Sequence, residues 1–375
     1  MTDRNIIVAK ISEDVLHYGI LPWLPCKCLS RFKSVSRKWN HLISHDLGFM
    51  QKQSCCHGSP VSFGFVYKRP HGIILFPVDI PGELNICMPK SFFPTLPDGT
   101  IYNNILALVG HLLLVVLMKS NSKIYYVWNL ATKVGHTIPI ISDSQCLGLA
   151  LDASTTTTTA GYKLVNLVLG RWADSEEYLF HVCSSATGRW TVSDHKLTIK
   201  DTLAFHGQIH PLSTKRVIYW DRTPYLLWFD VEKDVTGYMS LPTINEGGGV
   251  HSQKLGVTYD EKILTVIRLL TNRAITIWMM AKEGGWVRKH QIHLIDNIPM
   301  KILGDVYVSN INQIHLLSFH GGDRVYLHIR FDNTLILCCY NMTTGEITKI
   351  NQFVGLLQVS CPSMLLNHNS LVRSN

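Results

Sequence analysis

Residues 226–237, LLWFDVEKDVTG, combine an aromatic-rich apolar run with a short polar turn that ends in a Thr-Gly pair. Aromatic and β-branched residues favour strands, and a glycine at a turn supplies the positive φ that a tight hairpin needs. The stretch therefore predicts a β-hairpin with Gly237 at its turn. The same design returns four times along the chain, around Gly135, Gly188, Gly285 and Gly345.

The spacing of these hairpins indicates a repeat. The five glycines are separated by 53, 49, 48 and 60 residues. A repeat of this length with a hairpin in each unit is typical of kelch-like propeller blades, because each four-stranded sheet buries both faces only against its neighbours. About six such units would fill the chain. The alternative, that Thr-Gly turns recur by chance in a β protein of another fold, stays open at this point.

The first fifty residues have helical rather than strand periodicity. Ser12 is a suitable N-cap, and acidic residues follow it in the first turn, where their charge favours the positive end of the helix dipole. Pro22 ends this helix, and Pro25 begins a second helical region. We therefore predict an α+β multidomain fold, with a small N-terminal helical module followed by a mostly-β propeller of kelch-like type.

A helical module of this size is too small for a self-sufficient core. Its apolar face needs a second surface to cover it. That surface could belong to another protein or to the rest of this chain, and periodicity alone does not decide between them.

The segment Ile11–Ile43, ISEDVLHYGILPWLPCKCLSRFKSVSRKWNHLI, resembles the F-box, especially its plant form. In that family an acidic helix start leads to Leu-Pro, then to a Leu-x-x-Phe-x-x-Val helix, and finally to Trp-x-x-Leu-Ile. The resemblance implies a set of residues that build a small core and dock on a Skp-type adaptor. These residues are Val15, Leu16, Ile20, Leu24, Pro25, Leu29, Phe32, Val35, Trp39, Leu42 and Ile43.

Two departures from the family pattern bear on adaptor binding. The family usually opens with Leu-Pro, where this sequence has Ile11-Ser12, so a rigid part of the docking edge is missing. Tyr18-Gly19 replaces an acidic and an apolar residue, and glycine inside a helix costs about 1 kcal/mol relative to alanine. Weakened adaptor binding is the expected result.

The body of the chain resembles the domain that follows the F-box in many plant proteins. Residues 146–152, CLGLALD, and 161–165, GYKLV, are similar to that family's Gly-x-Gly-x-Asp and Asp-Tyr-Lys-Val-Val signature. Residues 254–257, KLGV, and 277–280, IWMM, are similar to its later segments. The threonine run between the first two, Thr155–Thr159, is interpreted as a surface insertion.

The composition of the chain indicates which classes of partner and which cell compartment to expect. A net charge of +8 comes from scattered basic residues without a continuous stripe, so no nucleic-acid partner is expected. Ten irregularly spaced cysteines do not suit a disulfide framework and favour the cytoplasm or nucleus. No targeting segment is evident, and the longest apolar run, Leu112–Met118, predicts a buried strand, so no membrane partner is expected.

Two histidine pairs have spacings that could suggest a metal site. His206 and His210 lack the glutamate of a metalloprotease helix, and a glycine lies between them. His290 and His293 are three apart in a predicted strand and should point to opposite faces. No nucleophile elbow, phosphate-binding loop or paired-cysteine cluster occurs in the sequence. We therefore expect no catalytic residues, no metal and no cofactor.

The combined prediction is a non-catalytic, substrate-recognition subunit of a Skp-cullin-F-box ubiquitin ligase. As the resemblance implies, residues 1–54 form the F-box module, residues 55–365 the propeller-like recognition domain and residues 366–375 a tail. The partners would be a Skp-type adaptor, a cullin bound through it, and an unknown target protein. Two alternatives stay open: a protein-binding propeller uncoupled from ubiquitin, and a propeller enzyme or lectin.

Overall fold

The computed structural model describes the chain in separate ranges. They are residues 12–24, 26–46, 49, 62–69, 72–77, 100–109, 112–120, 122–129, 134–139, 146–152, 159–172, 175–200, 211–243, 249–257, 263–271, 273–294, 313–320, 324–331, 334–354, 363–366 and 373–374.

Within the described ranges, five four-stranded antiparallel blades follow one another, fewer than the six or so units that the repeat length predicted. Blade 1 contains β3 (Ile101–Val109), β4 (Leu112–Lys119), β5 (Ser122–Asn129) and β6 (Val134–Ile138). Blade 2 contains β7 (Leu147–Asp152), β8 (Thr159–Trp172), β9 (Ser175–Ser184) and β10 (Arg189–Lys200). Blade 3 contains β11 (Pro211–Ser213), β12 (Val217–Arg222), β13 (Tyr225–Asp230) and β14 (Val235–Ser240). Blade 4 contains β15 (Val250–Val257), β16 (Leu264–Leu270), β17 (Ala274–Met280) and β18 (Trp286–His293). Blade 5 contains β19 (Gln313–His320), β20 (Arg324–Phe331), β21 (Thr334–Asn341) and β22 (Ile347–Val354).

A further, three-stranded sheet joins distant parts of the chain. It pairs β1 (Ser62–Arg69) with β2 (Gly72–Pro77) on one side and with β23 (Ser363–Leu366) on the other. β23 contacts both β19 and β3, so this sheet lies between blade 5 and blade 1. A short strand, β24 (Arg373–Ser374), runs parallel to the start of β8.

The predicted mostly-β propeller is confirmed. Each of the five predicted hairpins forms the third and fourth strands of one blade. The apolar run Leu112–Met118 lies in β4, whose first six residues are all buried. Apolar side chains from neighbouring blades share clusters, such as the one that joins Ile267 of β16 to Leu327 of β20. Burial between sheets therefore stabilises the propeller.

Two of the five glycines do not lie in turns, which corrects the prediction. Gly188, Gly285 and Gly345 have φ values of 62°, 89° and 74° and occupy turns as expected. Gly135 and Gly237 instead lie within β6 and β14, opposite Trp128 and Trp228. There a Cβ would stand 2.2 Å from an atom of the Trp128 ring, or 2.5 Å from one of the Trp228 ring.

The reason for these two glycines is therefore close packing rather than backbone conformation. An indole ring lies flat over the opposite strand, and only a residue without a side chain leaves room for it.

The described residues between Ser12 and Asp46 are helical and include four short helical elements. A π-helical turn at Val15–Ile20 and a 3₁₀ turn at Leu21–Trp23 precede two α-helices. These are α1 (Cys26–Phe32) and α2 (Arg37–His45). The predicted helical region after Pro22 is thus interrupted between residues 33 and 36, where α2 receives its own N-cap.

Candidate partner-binding sites

Local capping explains where the N-terminal helices begin. The Ser12 hydroxyl accepts a hydrogen bond from the Val15 N–H at 3.3 Å, so Ser12 caps the first turn as predicted. Ser36 has an extended backbone and its hydroxyl accepts a hydrogen bond from the Trp39 N–H at 3.1 Å. A cap at Ser36 ends the continuity between α1 and α2, and this places Val35 in the connecting turn.

The helical segment has a small apolar cluster of its own. Its buried members are Leu21, Leu29, Leu42, Ile43 and Phe49, and its half-buried members are Leu16, Leu24, Phe32 and Trp39. Phe32 and Trp39 meet edge to face, with ring centres 5.5 Å apart. Every member of this cluster comes from the segment between Leu16 and Phe49, and no described strand residue belongs to it.

Four apolar residues of the same segment face solvent. We call Val15, Ile20, Trp23 and Val35 the exposed apolar set. Trp23 is 62% exposed and Val35 is 61% exposed. Large apolar side chains at such exposure are the feature expected of a surface that a second protein covers.

The predicted site residues therefore divide into two groups by burial. Leu29, Leu42 and Ile43 are buried, whereas Leu16, Leu24, Phe32 and Trp39 are half-buried in the same cluster. The remaining described members, Val15, Ile20 and Val35, belong to the exposed apolar set. Pro25 lies outside the described residues.

Sequence reasoning missed Trp23, the most exposed member of this set, and the buried residues Leu21 and Phe49. A tryptophan between two proline-containing pairs, Leu21-Pro22 and Leu24-Pro25, was the available signal for Trp23. Phe49 lies beyond the last helix, where periodicity says nothing about burial. Its backbone N–H donates to the Asp46 carboxylate at 2.8 Å.

Polar contacts hold the helical segment together at its surface. Lys38 of α2 pairs with Glu13 at the start of the first turn. The Tyr18 hydroxyl donates to the Asp46 carboxylate at 3.4 Å. The negative charge of Asp46 raises the pKa of Tyr18, so the phenol remains a donor in neutral solution.

A second candidate site lies on the propeller, at the outer end of the contact between blades 3 and 4. We call Met239, Trp278, Met280, Trp286 and Arg288 the blade 3–4 junction. The first four are half-buried around a buried cluster, and Arg288 is exposed. The Arg288 guanidinium carbon lies 5.8 Å from the centre of the Trp278 ring. The Trp286 indole N–H donates to the Ser240 carbonyl at 2.8 Å and ties the two blades together.

The histidines and other metal-ligating residues of the described ranges do not gather into a site. No group of three or more His, Cys, Asp or Glu side chains there could hold a metal ion. His290 and His293 lie in β18 as predicted, and His290 packs edge to face with Tyr340, 6.4 Å away. His206 and His210 lie outside the described residues. None of the helices in the described ranges is both long and apolar enough to span a membrane.

No family model matches the sequence. An F-box protein of Arabidopsis thaliana is 31% identical to the chain over 195 residues, which are 49% of this chain and 45% of that protein. The chain thus spans less than half the length of this relative. Similarity to an F-box protein and the propeller together fit a chain that combines an F-box with a propeller.

Solved structures with similar folds are only distantly related in sequence. TolB of Acinetobacter baumannii has a TM-score of 0.42 at 10% identity, with 80% of this chain and 70% of that chain covered. A periplasmic gluconolactonase of Pseudomonas aeruginosa has a TM-score of 0.38 at 9% identity, covering 80% and 99%. The lectin SapL1 has a TM-score of 0.39 at 11% identity, covering 80% and 97%. Similarities at this level carry no argument about function.

Proposed function

We propose that the chain is a substrate-recognition subunit of a Skp-cullin-F-box ubiquitin ligase. In this proposal the N-terminal helical segment binds a Skp-type adaptor, and the adaptor connects it to a cullin. The propeller binds a target protein. The chain itself performs no chemistry and acts in the cytoplasm or the nucleus.

The exposed apolar set carries the proposal. The helical segment forms a small apolar core from its own residues and still leaves Trp23 and Val35 more than half exposed. Leaving such side chains in water is unfavourable by about 1.5–3 kcal/mol each relative to burial, and a partner surface removes that cost. The similarity to an F-box protein of Arabidopsis supports a Skp-type adaptor as that partner.

The proposed mechanism is proximity. One end of the chain binds the ligase and the other holds a target, so the effective concentration of target lysines near the conjugating enzyme rises. A rigid propeller suits this task because its loops and edges are held on a fixed scaffold. We retain residues 1–54, 55–365 and 366–375 as the proposed adaptor-binding module, recognition domain and tail, and a kelch-like repeat as the proposed blade type.

The experiment is to measure binding of the full-length chain to a purified Skp-type adaptor. We expect Trp23→Ser and Val35→Glu each to weaken binding at least about tenfold, because an apolar contact is lost or a charge is buried. Trp39→Ala is less informative, since Trp39 packs on Phe32 and its loss would disturb the helices themselves.

Val192→Glu is the matched control. Val192 lies in β10 and is 58% exposed, close to the 61% of Val35, but it belongs to the propeller. This variant should bind the adaptor as the wild type does. If the folded, full-length chain shows no adaptor binding, the ligase proposal is wrong and a propeller uncoupled from ubiquitin becomes the better interpretation. Equal losses in the Val35 and Val192 variants would also contradict it.

A further inference from the structure

Three blades carry a tryptophan near the end of the third strand, across from a residue of the fourth. These are Trp128 in β5, Trp228 in β13 and Trp278 in β17. In blades 1 and 3 the residue opposite the tryptophan is glycine, and the ring packs directly over it. In blade 4 the opposite residue is Arg288. In blade 4 a charged side chain therefore lies over the ring, with its guanidinium carbon 5.8 Å from the ring centre.

A bulge in blade 4 creates this arrangement. His290 pairs with Ile277 and Arg288 pairs with Trp278, so Lys289 is an extra residue in β18. Bulges on outer strands redirect side chains, and they are common where a surface has a binding role. Here the bulge brings Arg288 opposite Trp278 and leaves both Arg288 and Lys289 exposed.

The apolar side chains around Arg288 are incompletely covered. Among the described residues, the cluster between blades 4 and 5 has sixteen buried members and one half-buried member, Met279. The cluster between blades 3 and 4 has four buried members and eight half-buried ones. The half-buried members include two tryptophans and two methionines of the blade 3–4 junction. Tryptophan, methionine and arginine are the residue types enriched at protein interfaces.

The chemistry of Arg288 indicates what the junction would bind. Arg288 lies over the Trp278 ring at a cation–π distance, and a guanidinium group has five N–H donors in a geometry that matches a carboxylate. In the hairpin formed by β17 and β18, Lys282 and Lys289 are also exposed, and the one exposed acidic residue is Glu283. The surface therefore favours a negatively charged partner that also carries a large apolar side chain.

We propose that the blade 3–4 junction binds an extended segment of a target protein in which an aspartate or glutamate neighbours a large apolar residue. The carboxylate pairs with Arg288, and the apolar side chain packs on Trp278, Trp286 and the two methionines. Among the described strands β18 is the last of its sheet, and an extended segment can bind beside such a strand. That the segment belongs to a target of the ligase rests on the proposed function, whereas its binding to the blade 3–4 junction does not.

The test uses the full-length chain and a phage-displayed library of random nonapeptides, without any adaptor. We expect selected peptides to share an acidic residue next to Leu, Phe, Trp or Met. A synthetic copy of a selected peptide should bind Arg288→Glu at least about tenfold more weakly, because a charge-assisted hydrogen bond becomes a repulsion. Replacing its acidic residue by the matching amide should weaken binding in the same way.

Arg189→Glu is the matched control. Arg189 is also an exposed arginine of an outer strand, and it precedes Trp190, whose indole N–H donates to the Pro139 carbonyl of the neighbouring blade at 2.9 Å. This variant should bind the peptide as the wild type does, and both variants should keep the wild-type melting temperature.

Failure of the selection to enrich acidic peptides would overturn the proposal, as would peptides that bind Arg288→Glu and the wild type equally. Equal losses in the Arg189 variant would overturn it too. Trp23→Ser should retain peptide binding, so a failure of the ligase proposal is distinguishable from a failure of this one.

Discussion

Arg222 of β12 and Glu176 of β9 form an ion pair between blades 3 and 2, with 2.9 Å between Nη2 and Oε2. Their side chains are only 4% and 9% exposed. The Tyr178 hydroxyl donates to the Glu176 carboxylate and accepts from Arg222 Nε at 3.0 Å. Burial, together with the hydrogen bond to Glu176, raises the pKa of Tyr178 to about 12, so the group remains protonated and completes the network.

Removing one member of this network should destabilise the propeller strongly. Arg222→Leu leaves the Glu176 carboxylate buried without its cation, and we expect a loss of about 3–5 kcal/mol in the free energy of unfolding. Urea unfolding followed by tryptophan fluorescence measures it. The double variant with Glu176→Leu should recover part of the loss, because no charge is then buried.

A more exposed ion pair of blade 2 provides the control. Lys196 pairs with Glu177, and their side chains are 61% and 19% exposed. Lys196→Met should change the free energy of unfolding by less than about 1 kcal/mol. Similar losses of unfolding free energy for the Arg222 and Lys196 variants would show that burial of the Arg222–Glu176 pair does not increase its contribution to stability.

Gly237 should tolerate no side chain, although it lies in a strand. Alanine normally suits a strand interior better than glycine, yet a methyl group here would stand 2.5 Å from an atom of the Trp228 ring. We expect Gly237→Ala to destabilise the chain by about 1–3 kcal/mol through overpacking. Thermal unfolding of the variant checks this expectation.

Gly249 supplies the comparison. The nearest atom to a Cβ at that position is a Thr271 methyl carbon at 3.6 Å, which is ordinary contact. Gly249→Ala should therefore be neutral or slightly stabilising. A Gly237 variant that melts at the wild-type temperature would mean that the Trp228 ring can move aside without cost.

Asp230 should make stability depend on pH in the acid range. Burial alone would raise its pKa, but hydrogen bonds from Arg216 and from the backbone N–H groups of Lys233 and Glu232 outweigh burial and lower it. Because the folded pKa is below the unfolded value of about 3.9, the stabilisation is present above that pH. It is lost as the pH falls through the folded pKa.

Asp230→Asn tests this dependence. The variant should be less stable than the wild type at neutral pH, and its melting temperature should fall less steeply on acidification below about pH 4. Arg216→Gln should flatten the profile in the same direction, because it removes the main donor to Asp230. An unchanged slope in both variants would exclude Asp230 as a source of acid sensitivity.

The sequence predicted the body of the chain and the helical segment to different extents. In the body, aromatic-rich apolar runs and turn glycines such as Gly188 and Gly345 predicted the hairpins well, because strand and turn preferences are local. The role of Gly237 was not predictable in the same way. It depends on which residue of the neighbouring strand lies opposite, and that register is a tertiary property.

In the helical segment, periodicity indicated helices and the F-box resemblance indicated the residues of a partner site. Neither could separate Leu29, which is buried, from Val35, which is exposed. The Ser36 cap ends the helical periodicity just after Val35, so the face that a residue occupies depends on how α1 and α2 pack.

By itself, the sequence determined what short-range chemistry controls: helices near the amino end, hairpins repeated along the body, and the absence of recognisable catalytic motifs. Only the tertiary structure decided the pairing of β1 with β23, the buried contact of Glu176 with Arg222, and the position of Arg288 over the Trp278 ring. The physical reason is distance along the chain or register across strands. These contacts form only when blades or strands are placed side by side, and no local preference encodes that placement.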